Sequence, residues 1–337
     1  MKQTTIPMPV RYLINTLLIV AFLVVGYLVT QSGMLARAQN QIVIQVGFFI
    51  ILAVSLNLAT GYLGQLPLGH AGFMAVGAYT AGIFWRAGLL PSDASMVVGI
   101  LLAGLVAAVF GVLIGIPALR LRGDYLAIIT LGFGEIIRVL IINLDFITNG
   151  ARGLQGIPRY STFLVVYICA ITTCVVIHLL MKSRHGRAIL SIRENEIAAE
   201  SCGINTTYYK VMGFAVSAFF GGIAGALFAG NLGILEPGSF DFMMSINILM
   251  IVVLGGMGSM AGSVIAAAVL TSLPLLMQAL AQWRMVIYAL MLIMVMIFKP
   301  TGLLGTYDFS LSKILEKLVN RVRAGKKKKT QGGEDLD

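Results

Sequence analysis

Chemistry in this chain would have to come from a few polar groups set in apolar sequence. The histidines His70, His178 and His185 stand far apart, no Cys or carboxylate lies at a metal-ligand spacing from them, and no phosphate-cradling glycine loop occurs. Without a clustered acid, base or nucleophile, the sequence does not read as an enzyme; a membrane enzyme would need a headgroup site near His70. Taken alone, His70 reads as a hydrogen-bonded structural residue. What stands out is backbone chemistry. One stretch runs from Asn57 through Gly61, Gly64, Gln65 and Gly69 to His70 and Gly72, and another from Leu254 through Gly255, Gly256 and Gly258 to Gly262. Each puts glycines and polar groups into hydrophobic sequence, which frees backbone N–H and C=O groups from helix bonding. Lipid tolerates such backbone only where protein buries it or where it lines a watery cavity. A broken helix in each half of a transporter points to the transport site; the bland alternative is a pair of tight cytoplasmic turns at helix ends. Asn57, Gly61, Gly64, Gln65, Gly69, His70, Gly255, Gly256 and Gly258 are therefore candidates for lining a pathway.

An ionic pair joins them. Glu135 follows Asp124 by eleven residues, which at about 1.5 Å per residue sets it deep in a span, and Arg138 is one turn further on. A lone charge at that depth costs about 2.5–3.5 kcal/mol, so a partner or a water-filled cavity is expected. A structural pair and a pathway-lining or gating pair fit equally well. A third group is polar throughout: Arg193, Glu194, Glu196, Ala198, Ala199 and Glu200 read as one short charged helix that Gly203 stops. It has no apolar face large enough to fold on the bilayer, and reads either as a docking helix for a cytoplasmic partner or as a solvated connector.

The elements that position these groups follow from composition. The 337 residues are 58% hydrophobic and 11% charged, too few charges to cover a water-soluble surface, since soluble domains carry about 25%. Ten apolar runs recur: Tyr12–Thr30, Ile42–Thr60, Pro67–Trp85, Ser95–Leu119, Tyr125–Leu144, Thr162–Met181, Val211–Ala229, Phe242–Leu254, Ser259–Leu280 and Met285–Phe298. A crossing takes roughly 20 helical residues; the eighth and tenth runs are short, as broken or tilted helices would be. The expected fold is an all-α, polytopic transmembrane bundle of about ten spans with two glycine-broken segments. Small residues four apart, Ser217-Gly221-Gly225-Ala229, Gly258-Gly262-Ala266 and Gly111-Gly115, read as close helix packing.

Charge sets orientation. Ten spans place both termini with Arg120, Arg122, Lys182, Arg184, Arg187, Arg193 and Lys210, and the positive-inside rule makes that side cytoplasmic. The first run could instead be a secretory signal ending near Ala36-Arg37-Ala38, but it is longer than a usual signal core, and keeping it makes the charge count close. Residues 1–310 read as the permease domain, with the loop 182–210 as its main cytoplasmic excursion. Residues 311–325 read as an amphipathic helix lying on the membrane lipid, and 326–337 as a disordered basic tail. The formal net charge of +10 lies at segment ends and in the tail, without the dense basic face nucleic acid needs. Cys169, Cys174 and Cys202 form neither a disulfide framework nor a metal spacing.

Three blocks and the loop carry a resemblance: Gly64-Gln65-Leu-Pro67-Leu-Gly69-His70-Ala-Gly72 continuing to Tyr79, Leu119 to Arg138, and Thr148 to Pro158, with Leu254 to Ser259 in the second half. Over almost its whole length the chain resembles the inner-membrane permeases of branched-chain amino acid ABC importers, the M-type subunit more than the H-type. The resemblance implies alternating access driven by ATP hydrolysis on two separate cytoplasmic ATPase subunits, an H-type permease partner, and an extracytoplasmic substrate-binding protein. It implies no cofactor bound by this chain. The Arg193–Gly203 loop is similar to the segment that docks in a cleft of the ATPase. Ala198, Ala199 and Gly203 fit that pattern, Ile197 replaces its Glu, and Pro67 stands where Ser is expected. Branched-chain amino acids are the implied cargo; urea, other small amides or amino acids, and a proton-coupled secondary carrier centred on Glu135 and Arg138 are the alternatives.

Overall fold

A computed structural model describes residues 8–32, 36–121 and 123–276, with isolated positions between 283 and 297. The tenth run lies largely outside these residues, and Arg122, the segment 311–325 and the tail 326–337 lie wholly outside them. Two compact units divide the chain: Leu35–Thr306, and a second that contains helix α1, Met8–Gln31.

In the larger unit nearly all backbone is helical, as apolar sequence in lipid requires. Helix α2 (Arg37–Asn57) passes into a single π-turn, Leu58–Tyr62, and α3 (His70–Ala87) follows after an extended stretch. Then come α4 (Ser92–Ala118), α5 (Asp124–Asn143) and the single turn α6 (Asp145–Thr148). Helix α7 (Phe163–Lys182) leads to α8 (Arg184–Glu194) and α9 (Glu196–Ser201); α10 (Thr206–Leu232), α11 (Phe242–Gly255) and α12 (Met260–Leu276) complete the described residues. Among them, five helices are long and apolar enough to cross a membrane: α2 with its π-turn, α4, α5, α7 and α10.

Helix α10 is the hub, packing on α4, α3 and α2. Its small-residue stripe does what the spacing predicts. Gly225 lies on the backbone of Met74 and Ala78, Gly221 on the ring of His70, and on α4 Gly111 meets Ala218 and Gly115 meets Phe214. The Gly258 stripe differs: Gly258 has φ +88° and sits in the turn before α12, so only Gly262 and Ala266 are helical. Two short antiparallel strands, β1 (Leu154–Gln155) and β2 (Ile234–Leu235), pair Leu154 with Leu235 and Gln155 with Ile234, fixing the loop after α6 to the far end of α10.

The third apolar run, Pro67–Trp85, becomes helical three residues later than its sequence start, at His70. Gly64 takes φ +73°, and the ring of Pro67 keeps Leu66 out of helical geometry. Both effects hold 63–69 open.

Candidate functional site

The two glycine breaks, about 190 positions apart in the chain, lie directly against each other. Fully buried Asn57 joins them: its Nδ2 donates to the Ser259 carbonyl at 3.0 Å and to Ser263 Oγ at 2.9 Å, and its Oδ1 accepts from Gly258 N–H at 2.8 Å. One side chain thereby satisfies backbone that the second break leaves outside helix bonding. Gly61 is required at this contact, because a Cβ there would run into Asn57 Oδ1 and the Gly258 amide. Gly255 packs on Gly262 across the α11–α12 turn, and Gly256 ends α11 at φ +106°. Gln65 is half-buried and Gly64 exposed.

His70 heads α3 at a second node. Its Nε2 lies 3.0 Å from Ser55 Oγ, which itself donates to the Leu52 carbonyl, while Ser217 Oγ on α10 donates to the Ser55 carbonyl at 2.6 Å. The start of α3 finds partners on two other helices: Leu68 N–H donates to Thr130 Oγ1 of α5 at 3.0 Å, and Ala71 N–H to Ser245 Oγ of α11 at 3.1 Å. These are amides that a helix start leaves without internal acceptors. Gly69 rests on the Thr130 carbonyl, with Gly134 opposite. His70 is a buried, bonded packing residue.

Glu135 and Arg138 pair at 2.7 Å, with side chains 34% and 31% exposed. Helix α5 buries Leu126, Thr130, Ile137 and Ile141 against the rest of the unit. At 100° per residue Glu135 falls on the opposite side of the helix from that stripe, among exposed Ile128, Ile136 and Val139. The charged pair therefore faces out of this subunit.

The loop 183–205 is two helices rather than one. Asn195 takes extended backbone between α8 and α9, and its Oδ1 caps α9 by accepting from Ala198 N–H at 3.1 Å. An Asn that bonds its own downstream backbone breaks a helix and starts the next. Gly203, at φ +81°, follows the end of α9 as expected. Ala199 is buried; Arg193, Glu194, Ile197, Ala198 and Glu200 are exposed. Two contacts tie α9 to the start of α10: buried Lys210 Nζ to Glu196 Oε1, and Thr206 Oγ1 donating to Glu200 Oε1, both 2.6 Å. The Arg193 side chain, at the end of α8, lies against both Gly64 and Gly258. Loop, α10 and both breaks thus form one connected joint. Sequence reasoning missed its supporting members: Ser55, Thr130, Ser245 and Ser263 are single hydroxyls in apolar runs that carry no signal by spacing. Lys210, read as one more cytoplasmic cation, turns out to be the buried partner of Glu196.

Antiparallel packing of α4 on α10 brings Arg120 to the Lys210 end. The basic residues of α7, α8 and α10 gather there, while Arg86, Asp145, Arg152 and Glu236 belong to the other end. The apolar cavity between α4, α7 and α10, about 670 Å³ and lined by Val112, Val176 and Phe219, lies on the hydrophobic exterior.

Long apolar helices interrupted by facing breaks, joined to a polar helix pair at one end, define a multi-pass membrane transport subunit. The family can be stated as well: residues 38–298 match the permease component of the branched-chain amino acid transport system, and the chain belongs to that family. It is 37% identical over 330 residues to the high-affinity branched-chain amino acid transport system permease protein LivM of Salmonella typhimurium, covering 86% of this chain and 74% of that one. To the LivH permease of the same organism it is 23% identical over 281 residues, 76% of this chain and 91% of that one. To the D-allose transport system permease protein AlsC of Escherichia coli it is 27% identical over 225 residues, 63% of each. No solved structure matches the chain. The relatives are transport subunits, and the M-type resemblance and the non-enzymatic reading are borne out.

Proposed function

We propose that this chain is the M-type half of the membrane pathway of an ATP-driven importer for branched-chain amino acids. An H-type permease forms the other half, two cytoplasmic ATPases dock on α8–α9, and an extracytoplasmic binding protein delivers the ligand. The observation that carries this reading is the joint. A loop with an exposed polar face is tied through Glu196–Lys210 and Glu200–Thr206 to the hub helix, and through Arg193 to both breaks. Displacement of α9 by a partner has a rigid route to α10 and to the paired breaks. Ile197, 68% exposed, and Ala198 offer the docking surface, whereas buried Ala199 supports the helix from beneath. Gathering of basic residues at the joint end supports a cytoplasmic loop and cytoplasmic termini. Cargo identity rests on likeness to the branched-chain permeases.

The outward Glu135–Arg138 pair favours a second subunit over lipid at the α5 face, because charge exposed to acyl chains is costly. A proton-coupled carrier centred on Glu135 fits less well, since that carboxylate is held by Arg138 at 2.7 Å. The test is leucine uptake into proteoliposomes holding this chain, its H-type partner, both ATPases and the binding protein. The reading expects uptake that needs ATP and survives a protonophore. Uptake that continues without the ATPases and collapses with the proton gradient would replace it with a secondary carrier.

A further inference from the structure

At the end of the subunit opposite the coupling loop, a cavity of about 610 Å³ opens beside the end of α5, lined by Asn143, Asp145, Phe146, Asn149 and Arg152. Asp145 and Arg152 carry opposite charges and share this cavity. Yet neither forms an ion pair or a side-chain hydrogen bond among the described residues. Opposite charges that stay apart across one opening leave room for a group that carries both.

The backbone of the loop that holds them is closed by its own hydrogen bonds. Buried Thr148 Oγ1 donates back to the Ile141 carbonyl at 2.7 Å and accepts from Gly150 N–H at 3.2 Å. Asn149 N–H closes on the Asp145 carbonyl at 3.0 Å, and Arg152 N–H on that of Asn149 at 3.2 Å. Asn149 is the one non-glycine residue with positive φ, +62°, among the described residues, a conformation that Asn tolerates. Pairing of β1 with β2 fixes the chain just beyond. A backbone held in place before binding loses little freedom on binding.

The geometry points to an α-amino acid subsite: Arg152 receives the carboxylate, Asp145 the ammonium, and Phe146, 85% exposed, covers an aliphatic side chain. A guanidinium fork matches a carboxylate, and hydrogen bonds between charged groups are the strong ones. A sugar would leave both charges uncompensated; a zwitterion compensates both. The site would receive ligand on the face away from the ATPases, a role that rests on the transport reading above.

The test is binding of radiolabelled leucine and of leucinamide, which lacks the carboxylate, to the full transporter in liposomes without binding protein. Asp145→Asn should weaken both ligands about tenfold, and Arg152→Gln should weaken leucine about tenfold, the scale of one charged hydrogen bond. Leucinamide binding should ignore Arg152→Gln. Assembly, read by co-purification of all subunits, should match wild type in both variants. Equal loss for the two ligands on Arg152→Gln, or no loss, overturns the subsite. If that happens while ATP-driven leucine uptake by the wild type persists, the importer reading stands without it; absent uptake in the wild type overturns that reading and the subsite with it.

Discussion

The joint at the Asn57 end and the outer face of α5 are built on opposite terms. At the joint the buried polar groups have partners inside the chain: Asn57 spans the two breaks, Lys210 is buried on Glu196, and Ser55, Thr130 and Ser245 close the start of α3. On α5 the charged pair satisfies only itself and faces away from the core, on the least covered of the five helices long and apolar enough to cross a membrane among the described residues. The joint is complete in one subunit, while the α5 face needs something beyond it. Changes at the joint should therefore cost fold and coupling, and changes on α5 should cost assembly.

The largest effect should come from Asn57→Leu, which strands the part-buried Gly258 amide and takes one partner each from the Ser259 carbonyl and the Ser263 hydroxyl, which then keep the bonds between them at the start of α12. The stranded amide costs about 1–3 kcal/mol and each of the two lost bonds about 0.5–1.5 kcal/mol more, so the purified subunit should melt well below wild type in detergent; an unchanged melting temperature would contradict the role given to Asn57. Next comes Glu135→Leu, which leaves Arg138 alone at a cost of about 2.5–3.5 kcal/mol in lipid. Co-purification with the H-type permease should fall, and the double change Glu135→Leu with Arg138→Leu should recover it in part. Equal loss of the isolated subunit and of the pair would make the α5 ion pair a folding element instead. Gly64→Ala forces a side chain into φ +73° beside Arg193, and left-handed backbone costs about 1–2 kcal/mol, so a modest drop in denaturation midpoint is expected. The smallest effect should be Ile197→Glu on the exposed face of α9. Stability should move by less than about 0.5 kcal/mol, while affinity for the ATPase, measured by sedimentation of the complex, should change.

The apolar helices and the breaks were legible because they are statements about backbone. An apolar run must be helical in lipid, and glycines with an Asn inside one mark where it is not. Nine of the ten runs coincide with described helices. That the two breaks touch was not legible, since Asn57 and Gly258 are joined by three-dimensional packing that no local pattern encodes. Asn195 carried a readable signal, a capping residue followed by Glu196, but the charge run around it suggested one continuous helix. The direction of Glu135 could be read only once the buried stripe of α5 was known. Its pairing with Arg138 followed from spacing alone.

On the proposed reading, motion of α9 reaches the breaks through Lys210 and Arg193. The direct measurement is ATP hydrolysis and leucine uptake, taken together, in the reconstituted importer carrying Lys210→Met, which removes the tie to Glu196 while keeping the volume of the buried chain. Hydrolysis that continues while leucine delivered per ATP falls severalfold is the predicted result. Uptake and hydrolysis that stay in their wild-type ratio would contradict it, and would place the coupling route elsewhere in the fold.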